Sequence, residues 1–188
     1  MDDVARSVPD PAAAALEARL FARLDALSIA HTTLRHDKLF TVEQSRALHD
    51  RLPGAHIKNL FLRDKKRALV LVTVLDERPM DLKALRHLLG ATGNLSFGSI
   101  ELLGTALGVE LGSVTPYAVL NDTEGRVRFV LDAAILDQPL INAHPLHNAA
   151  TTTITTADLV RFAAACGHPP LIVDFDAPGG PAIAGGGT

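Results

Sequence analysis

The stretch HIKNLFLRDKKRALVLVTVL, residues 56–75, decides the fold of this 188-residue chain. Its two halves are apolar and rich in β-branched residues, and a charged turn around Lys65 and Lys66 separates them. This pattern predicts a largely buried β-hairpin of central strands. Lys58 and Asn59 interrupt the first half, and a buried lysine is costly unless it is paired. Lys58 therefore either extends to solvent at the strand start or awaits an anion such as phosphate.

The segments on both sides of the hairpin predict short helices and strands in irregular order. Pro11 followed by leucines at spacings of three or four predicts an amphipathic helix. N-cap residues predict four more helices, which begin after Thr41, Asp81, Ser99 and Thr155. Further strands are expected at Thr32–Arg35, Tyr117–Leu120, Val127–Leu131, on both sides of a His-Pro loop in LINAHPLHNAATTTI, and at LIVDF. The fold class is therefore α+β, a central mixed β-sheet with packed helices.

Length and composition predict one domain. With 47% hydrophobic and 21% charged residues, a chain of this size forms one compact core. We expect a flexible N-terminus over residues 1–10, a single domain over 11–175 and a disordered tail over 176–188, where glycine, proline and alanine dominate.

The charge and the apolar segments limit the classes of partner. A formal net charge of −3 argues against broad electrostatic coating of nucleic acid but leaves room for a local basic patch. No stretch approaches the roughly 20 apolar residues of a membrane span, and the acidic start MDDVARSVPD is unlike a signal peptide. We therefore expect a cytoplasmic protein with no membrane partner.

Two polar loops are further candidates for a binding site. In GSVTP, residues 112–116, glycine and proline bracket small hydroxylated residues, so that backbone N–H groups could face a ligand; an ordinary turn has the same composition. The second loop brings His144, His147 and Asn148 close to Thr151–Thr153. Its H-x-x-H spacing has no cysteine or carboxylate beside it, so we predict no metal site. Cys166, in the apolar segment LVRFAAAC, is interpreted as a small hydrophobe rather than a catalytic thiol.

No serine-hydrolase elbow, zinc-protease helix, P-loop or dinucleotide fingerprint is present in the sequence. The residues by themselves thus predict a soluble α+β domain with a lysine-bearing cleft and an anionic ligand.

Taken together, HIKNLFLRDKK, the strand after it, GSVTPYAVLND and NAHPLHNAATTTI resemble the YbaK/prolyl-tRNA-synthetase-associated editing family in order and spacing. The resemblance runs from about Leu20 to Asp174. It is closest to free-standing members that clear alanine from tRNA(Pro), whose Lys-Asn pair in a KNLFL strand corresponds to Lys58 and Asn59. Ala143, before His144, departs from the bulkier residue expected there, which bears on pocket shape and on the preferred amino acid.

The resemblance implies an aminoacyl-tRNA deacylase, a carboxylic ester hydrolase without cofactor or metal, acting on mischarged alanyl-tRNA(Pro). It implies catalytic roles for Lys58, Asn59 and His144, with Lys58 on the phosphate backbone at the CCA end. Substrate-binding residues are expected to be Gly112, Ser113, Val114, Thr115, Pro116, Asn148 and Thr152. Contacts to tRNA are expected from Lys58, Arg63, Lys65, Lys66, Arg67, Lys83 and Arg86.

The mechanism and the substrate leave alternatives open. Because no protein nucleophile stands among the motif residues, we expect an attacking water that the ribose hydroxyl of the substrate assists, or His144 acting as a general base. The target could instead be cysteinyl-tRNA(Pro) or another small aminoacyl-tRNA. Two other classes of protein remain, a non-catalytic module that binds tRNA or a synthetase and a hydrolase of an unrelated small ester or nucleotide. The expected partner is the acceptor end of tRNA(Pro), and prolyl-tRNA synthetase is left open as a second one.

Overall fold

The computed structural model describes residues 10–37 and 52–184. Its helices are α1 (Pro11–Ala26), α2 (Leu82–Leu89), α3 (Ile100–Leu107) and α4 (Thr156–Ala165), with 3-10 turns at Pro116–Asn121 and Ala133–Ile135. Its strands are β1 (Thr32–Arg35), β2 (Ala55–Arg63), β3 (Leu69–Leu75), β4 (Ser96–Phe97), β5 (Val127–Asp132), β6 (Leu140–Ala143), β7 (Ala150–Thr155), β8 (Leu171–Asp174) and β9 (Ala182–Ile183).

The described strands form one mixed sheet in the order β1-β7-β6-β2-β3-β5-β8-β9, and β4 pairs with β2 beside this path. The predicted hairpin is its centre: β2 and β3 are antiparallel, with Asn59 opposite Thr73. The pairs β2–β6, β3–β5 and β5–β8 are parallel. The predicted α+β class with a central mixed sheet is confirmed.

The two faces of the hairpin carry separate cores because side chains alternate along a strand. Phe61 and Leu71 lie on the face covered by α1, α3 and α4, in the larger cluster of buried side chains. Leu62 and Val72 lie on the other face, where they pack with Leu85 of α2. Lys58 and Asn59, which are adjacent on β2, therefore point to opposite faces.

Most predicted elements are present, with two corrections. The strand predicted at Tyr117–Leu120 is wrong: Pro116 and the N-cap Thr115 start a 3-10 turn, and Tyr117 is buried within it. The predicted tail is also ordered in part, because Ala182–Ile183 pairs with β8. That pairing uses backbone groups, which composition does not reveal. The helix predicted after Thr41 lies outside the described residues.

Candidate functional site

The site begins with an interruption in the sheet beside β2. On one edge of β2, β6 pairs with Ala55 and His56, and β4 pairs with Leu62 and Arg63. Between them, no described strand pairs with residues 57–61 on that edge. Since no described strand, with its side chains, lies beside this part of β2, a cavity can open there.

A cavity of about 390 Å³ occupies this position. An apolar part is formed by Ile57, Phe61, Leu103 and Val114, and polar groups come from Lys58, Asn59, Gly112 and His144. At the rim stand Phe97 and Leu111, whose side chains are 64% and 69% exposed. Gly98 also lines the cavity, and a Cβ there would lie 2.5 Å from two Phe61 ring carbons, so glycine is needed for this close approach.

Lys58 is the uncommitted cation of the cavity. Its side chain is partly buried, and it makes no hydrogen bond or ion pair with any residue in the described ranges. A lysine that borders a cavity and whose side chain has no protein partner can bind an anion without first breaking an internal contact.

Asn59, in contrast, is committed to the protein. Its Nδ2 donates to the carbonyl of Val114 at 3.0 Å, and its Oδ1 accepts from the hydroxyl of Thr73 at 2.7 Å. A carbonyl can only accept, so the nitrogen must face Val114, which fixes the amide orientation. Asn59 therefore ties the 112–115 loop to the β2–β3 hairpin.

The loop held by Asn59 presents backbone donors. Gly112 has φ +85°, a conformation that glycine adopts at low cost. The N–H of Ser113 donates to the carbonyl of Glu110 at 3.0 Å. The N–H groups of Gly112 and Val114 make no hydrogen bond within the described residues, so they can donate to a ligand in the cavity.

His144 contributes a neutral imidazole. Its Nδ1 lies 3.1 Å from the carbonyl of Ala150, which can only accept, so Nδ1 carries the proton and Nε2 has a free lone pair. Burial lowers the pKa of His144, and the nearby His36 and His147 lower it further. His36, whose ring centroid lies 6.3 Å away, also has a pKa lowered chiefly by burial.

A buried ion-pair network supports the loop of His144. Glu17 of α1 accepts from His147 Nε2 at 2.7 Å and forms a bidentate pair with Arg35. His147 Nδ1 in turn accepts from the Ala149 N–H at 3.2 Å. The network holds a turn in which Leu146 adopts φ +69°, a strained value for a residue with a side chain.

Comparison with known proteins shows the family. Residues 36–162 match the family model for the aminoacyl-tRNA editing domain. The prolyl-tRNA synthetase associated domain-containing protein 1 of Bos taurus is 41% identical over 169 residues, 88% of this chain and 98% of that protein. The prolyl-tRNA editing protein ProX of Acetoanaerobium sticklandii is 35% identical over 150 residues, 79% of this chain and 91% of that protein.

The chain belongs to the aminoacyl-tRNA editing domain family. Its fold is shared with a crystal structure described provisionally as a trans-editing enzyme for prolyl-tRNA synthetase, with TM-score 0.67 and 18% identity. That alignment covers 89% of this chain and 98% of the other. In the described part of this editing domain, no helix is long and apolar enough to cross a membrane.

The editing domain brings together only some of the residues predicted to bind substrate. Lys58, Asn59, Gly112, Val114 and His144 line the same cavity. Ser113 and Asn148 line a separate depression beside α1, together with Leu16 and His147.

The other three predicted substrate contacts have structural partners. Thr115 is buried and caps the 3-10 turn, and Pro116 begins that turn. Thr152 is buried in β7, where its hydroxyl lies 2.9 Å from that of Thr33. None of the three is among the residues that line the cavity, so we keep them as supports of the fold.

The predicted tRNA-binding cations divide among three places. Arg63 and Arg67 line a second cavity next to the first. Lys65 and Lys66 are exposed in the hairpin turn. Lys83 and Arg86 belong to α2, on the opposite face of the sheet, and Arg86 donates to Asn94 at 3.0 Å.

Sequence reasoning missed several residues around the site, namely Glu17, Arg35, His36, Thr73 and Phe97. Glu17 reaches the site from α1, through its contact with His147. Arg35 and His36 reach it through the pairing of β1 with β7. The sequence offered one signal, an aromatic residue, Phe97, in the short segment between the helices predicted after Asp81 and after Ser99. Cys166 is partly buried, and burial raises its thiol pKa, which agrees with an unreactive thiol.

Proposed function

We propose that this protein is a trans-editing aminoacyl-tRNA deacylase that hydrolyses the ester of mischarged alanyl-tRNA(Pro). The observation that carries the proposal is the content of one small cavity. It brings together a lysine side chain, the N–H groups of Gly112 and Val114 and the Nε2 of a neutral histidine, none of which has a partner among the described residues. These are the groups needed to hold a phosphate, to stabilise an oxyanion and to position a hydroxyl.

Lys58 binds the phosphate at the CCA end of the tRNA. Lys58 stands on the stretch of β2 that no described strand pairs with on this edge, and it is one of the residues that line the cavity. In this proposal it anchors the terminal nucleotide so that the aminoacyl ester lies between the 112–115 loop and His144. Phe97 and Leu111 at the rim offer apolar surface to the terminal base, since aromatic side chains stack on nucleobases with little sequence preference.

Water is the nucleophile in this proposal, because the described residues that line the cavity include no serine, cysteine or carboxylate. Water attacks the carbonyl carbon, and the N–H groups of Gly112 and Val114 stabilise the oxyanion that forms. The ester C–O bond then breaks, the proton of water passes to the departing ribose oxygen, and alanine and uncharged tRNA leave. Asn59 acts by holding the carbonyl of Val114 and with it the orientation of the donor loop.

His144 positions the free ribose hydroxyl, whose proton its Nε2 can accept as a hydrogen bond. The alternative role is a general base that takes a proton from water. A tRNA whose terminal adenosine lacks the vicinal hydroxyl separates the two roles. If that substrate were turned over normally while His144→Ala still bound tRNA but were inactive, the histidine base would be preferred.

The apolar part of the cavity, formed by Ile57, Phe61, Leu103 and Val114, suits the methyl group of alanine. A synthetase pocket shaped for proline cannot strongly reject a smaller amino acid, so a second site must remove the error. The test is ester loss from purified alanyl-tRNA(Pro) and prolyl-tRNA(Pro). We expect hydrolysis of the first and sparing of the second; binding without hydrolysis would favour a non-catalytic module, and faster loss of cysteinyl-tRNA(Pro) would change the substrate.

The partner in this proposal is the acceptor end of tRNA(Pro), in the cytoplasm. A contact with prolyl-tRNA synthetase belongs to the same proposal. It is tested by whether adding the synthetase raises kcat/KM for the alanyl ester.

A further inference from the structure

A second cavity of about 330 Å³ lies beside the first. It is bounded by the end of β2, the hairpin turn and the first turns of α3. We call it the arginine pocket, after Arg63 and Arg67; its other lining residues are Ser99, Glu101, Leu102 and Thr105.

The two arginines differ from the other arginines that the structure describes. Neither guanidinium group makes a hydrogen bond or an ion pair with the residues at 10–37 and 52–184. The remaining described arginines each donate to a protein oxygen: Arg19, Arg23, Arg35, Arg78, Arg86, Arg126, Arg128 and Arg161. The two guanidinium groups left without a partner therefore lie in the same pocket, where their donors can bind an anion.

The backbone at Arg67 adds to this observation. Its φ is +66°, in the left-handed region that favours glycine. The turn is braced around it, because Asp64 accepts from the N–H of Ala68 at 2.9 Å and from that of Thr92 at 2.9 Å. A glycine would relieve the strain, so the arginine is a costly choice unless its side chain has a use.

The two cavities follow one another along β2. Phe61 lines the first and Arg63 the second, about 7 Å apart on a strand. They also share α3, since Leu103 faces the first and Leu102 the second. A ligand that extends beyond the first cavity in this direction must pass over the arginine pocket.

We propose that the arginine pocket binds a backbone phosphate of the RNA strand that leads into the first cavity. This inference rests on the proposed function, and it assigns to two arginines the contact that fixes the approach of the strand. The carboxylate of Glu101 opposes a phosphate in the same pocket, so its removal must strengthen binding. The sequence predicted tRNA contacts from Lys65 and Lys66 as well. Both are exposed in the turn and lie outside the lining of the pocket, so in this proposal they contribute only diffuse charge.

The test compares Arg67→Gly with Lys66→Gly, two losses of one positive charge in the same turn. The probe is an RNA oligonucleotide that ends in CCA and carries no amino acid. Its affinity is measured by fluorescence anisotropy over a salt series. We expect Arg67→Gly to weaken binding about tenfold and to flatten the log affinity against log salt slope by about 0.7 to 1. Lys66→Gly should change affinity less than about twofold, and Glu101→Gln should tighten it.

Stability gives an independent control. Arg67→Gly should melt at or above the temperature of the parent protein, because glycine suits the left-handed backbone. Equal losses of oligonucleotide affinity in Arg67→Gly and Lys66→Gly would overturn the proposed phosphate site. Weaker oligonucleotide binding by Glu101→Gln would overturn it as well. If Arg67→Gly weakened the binding of inorganic phosphate but left the affinity for the oligonucleotide unchanged, the pocket would be assigned to a free anion. That result would also overturn the proposal.

The two proposals fail separately. If the parent protein does not deacylate alanyl-tRNA(Pro) but its oligonucleotide affinity depends on Arg67, the substrate is wrong and the phosphate pocket stands. If the parent protein deacylates the ester and Arg67→Gly binds and reacts like it, the phosphate pocket is wrong and the editing function stands.

Discussion

The two edges of β2 differ in almost every respect. Towards β3, every residue from Ile57 to Arg63 has a partner strand, and the side chains on both faces enter a core. Towards β6 and β4, described strands pair only with the two ends of β2, and the middle borders the cavity. One strand thus supports the fold through one edge and a binding site through the other. Substitutions beside the two edges should separate stability from activity.

The largest expected effect is on the paired edge. Leu71 is fully buried on β3, opposite Phe61. Leu71→Ala removes buried apolar surface and leaves a cavity, which should lower the free energy of unfolding by about 2–5 kcal/mol. Urea denaturation measures this. A loss below about 1 kcal/mol would mean that the hairpin is not the stabilising centre of the sheet.

Lys58→Ala should show the opposite behaviour on the open edge. Loss of the ammonium group should lower kcat/KM for alanyl-tRNA(Pro) by about 10- to 100-fold, the equivalent of a hydrogen bond to a charged group. The melting temperature should not fall, because Lys58 has no partner in the described structure to leave unpaired. Lys65→Ala is the matched control and should keep its activity. Undiminished activity of Lys58→Ala, with a normal fold, would refute the role of this lysine.

Asn59 joins the two edges, so its removal should affect both properties. Asn59→Ala leaves the buried hydroxyl of Thr73 and the carbonyl of Val114 without their partner, which should cost about 1–3 kcal/mol of stability. It should also lower kcat, because the donor loop loses its tether. Thr73→Val is the matched control: it removes one bond and keeps the tether to Val114. Equal loss of kcat in the two variants would contradict the tether.

Sequence patterns predicted the paired edge well and the open edge poorly. Alternating apolar residues and a charged turn are local signals, so the hairpin was placed within a few residues of its bounds. The open edge depends on where β6 and β4 stop pairing with β2, and these strands lie far from it in sequence. Glu17 and His147 are 130 residues apart, and no local pattern connects them.

The interpretation of the GSVTP loop shows the same limit. The sequence indicated backbone donors there, and in the structure the N–H groups of Gly112 and Val114 make no hydrogen bond with a described residue. Which side chains face the cavity was not predictable, because Thr115 is used as a cap and Ser113 turns towards α1. The cap also explains why Tyr117 lies in a 3-10 turn and not in a strand.

A smaller effect should appear as the pH falls. His144 and His36 have pKa values below the ordinary 6.5, chiefly through burial. The unfolded chain therefore binds protons that the folded chain does not, and stability should fall as the pH drops from about 6.5 towards the lowered pKa values. The loss is at most about 1.4 kcal/mol per pH unit for each histidine. Urea denaturation between about pH 8 and pH 5.5 measures it.

His144→Gln is the control for the pH dependence, since glutamine does not titrate. It should reduce the slope of stability against pH. An unchanged slope, or stability that rises as the pH falls, would show that His144 is not held neutral in the folded protein.

The smallest effect is expected at the rim of the open edge. Phe97 is 64% exposed and lines the cavity, whereas Ile100 is 65% exposed and stands at the start of α3 outside its lining. Phe97→Ala and Ile100→Ala both remove exposed apolar surface, so neither should change the free energy of unfolding by more than about 0.5 kcal/mol.

If Phe97 stacks on the terminal base, Phe97→Ala should raise KM by an amount worth about 1–3 kcal/mol and leave kcat nearly unchanged, because the base is remote from the ester. Ile100→Ala should leave both constants unchanged. A fall in kcat with normal KM in Phe97→Ala would instead assign Phe97 to the shape of the reacting end of the cavity, and equal effects of the two variants would remove the stacking role.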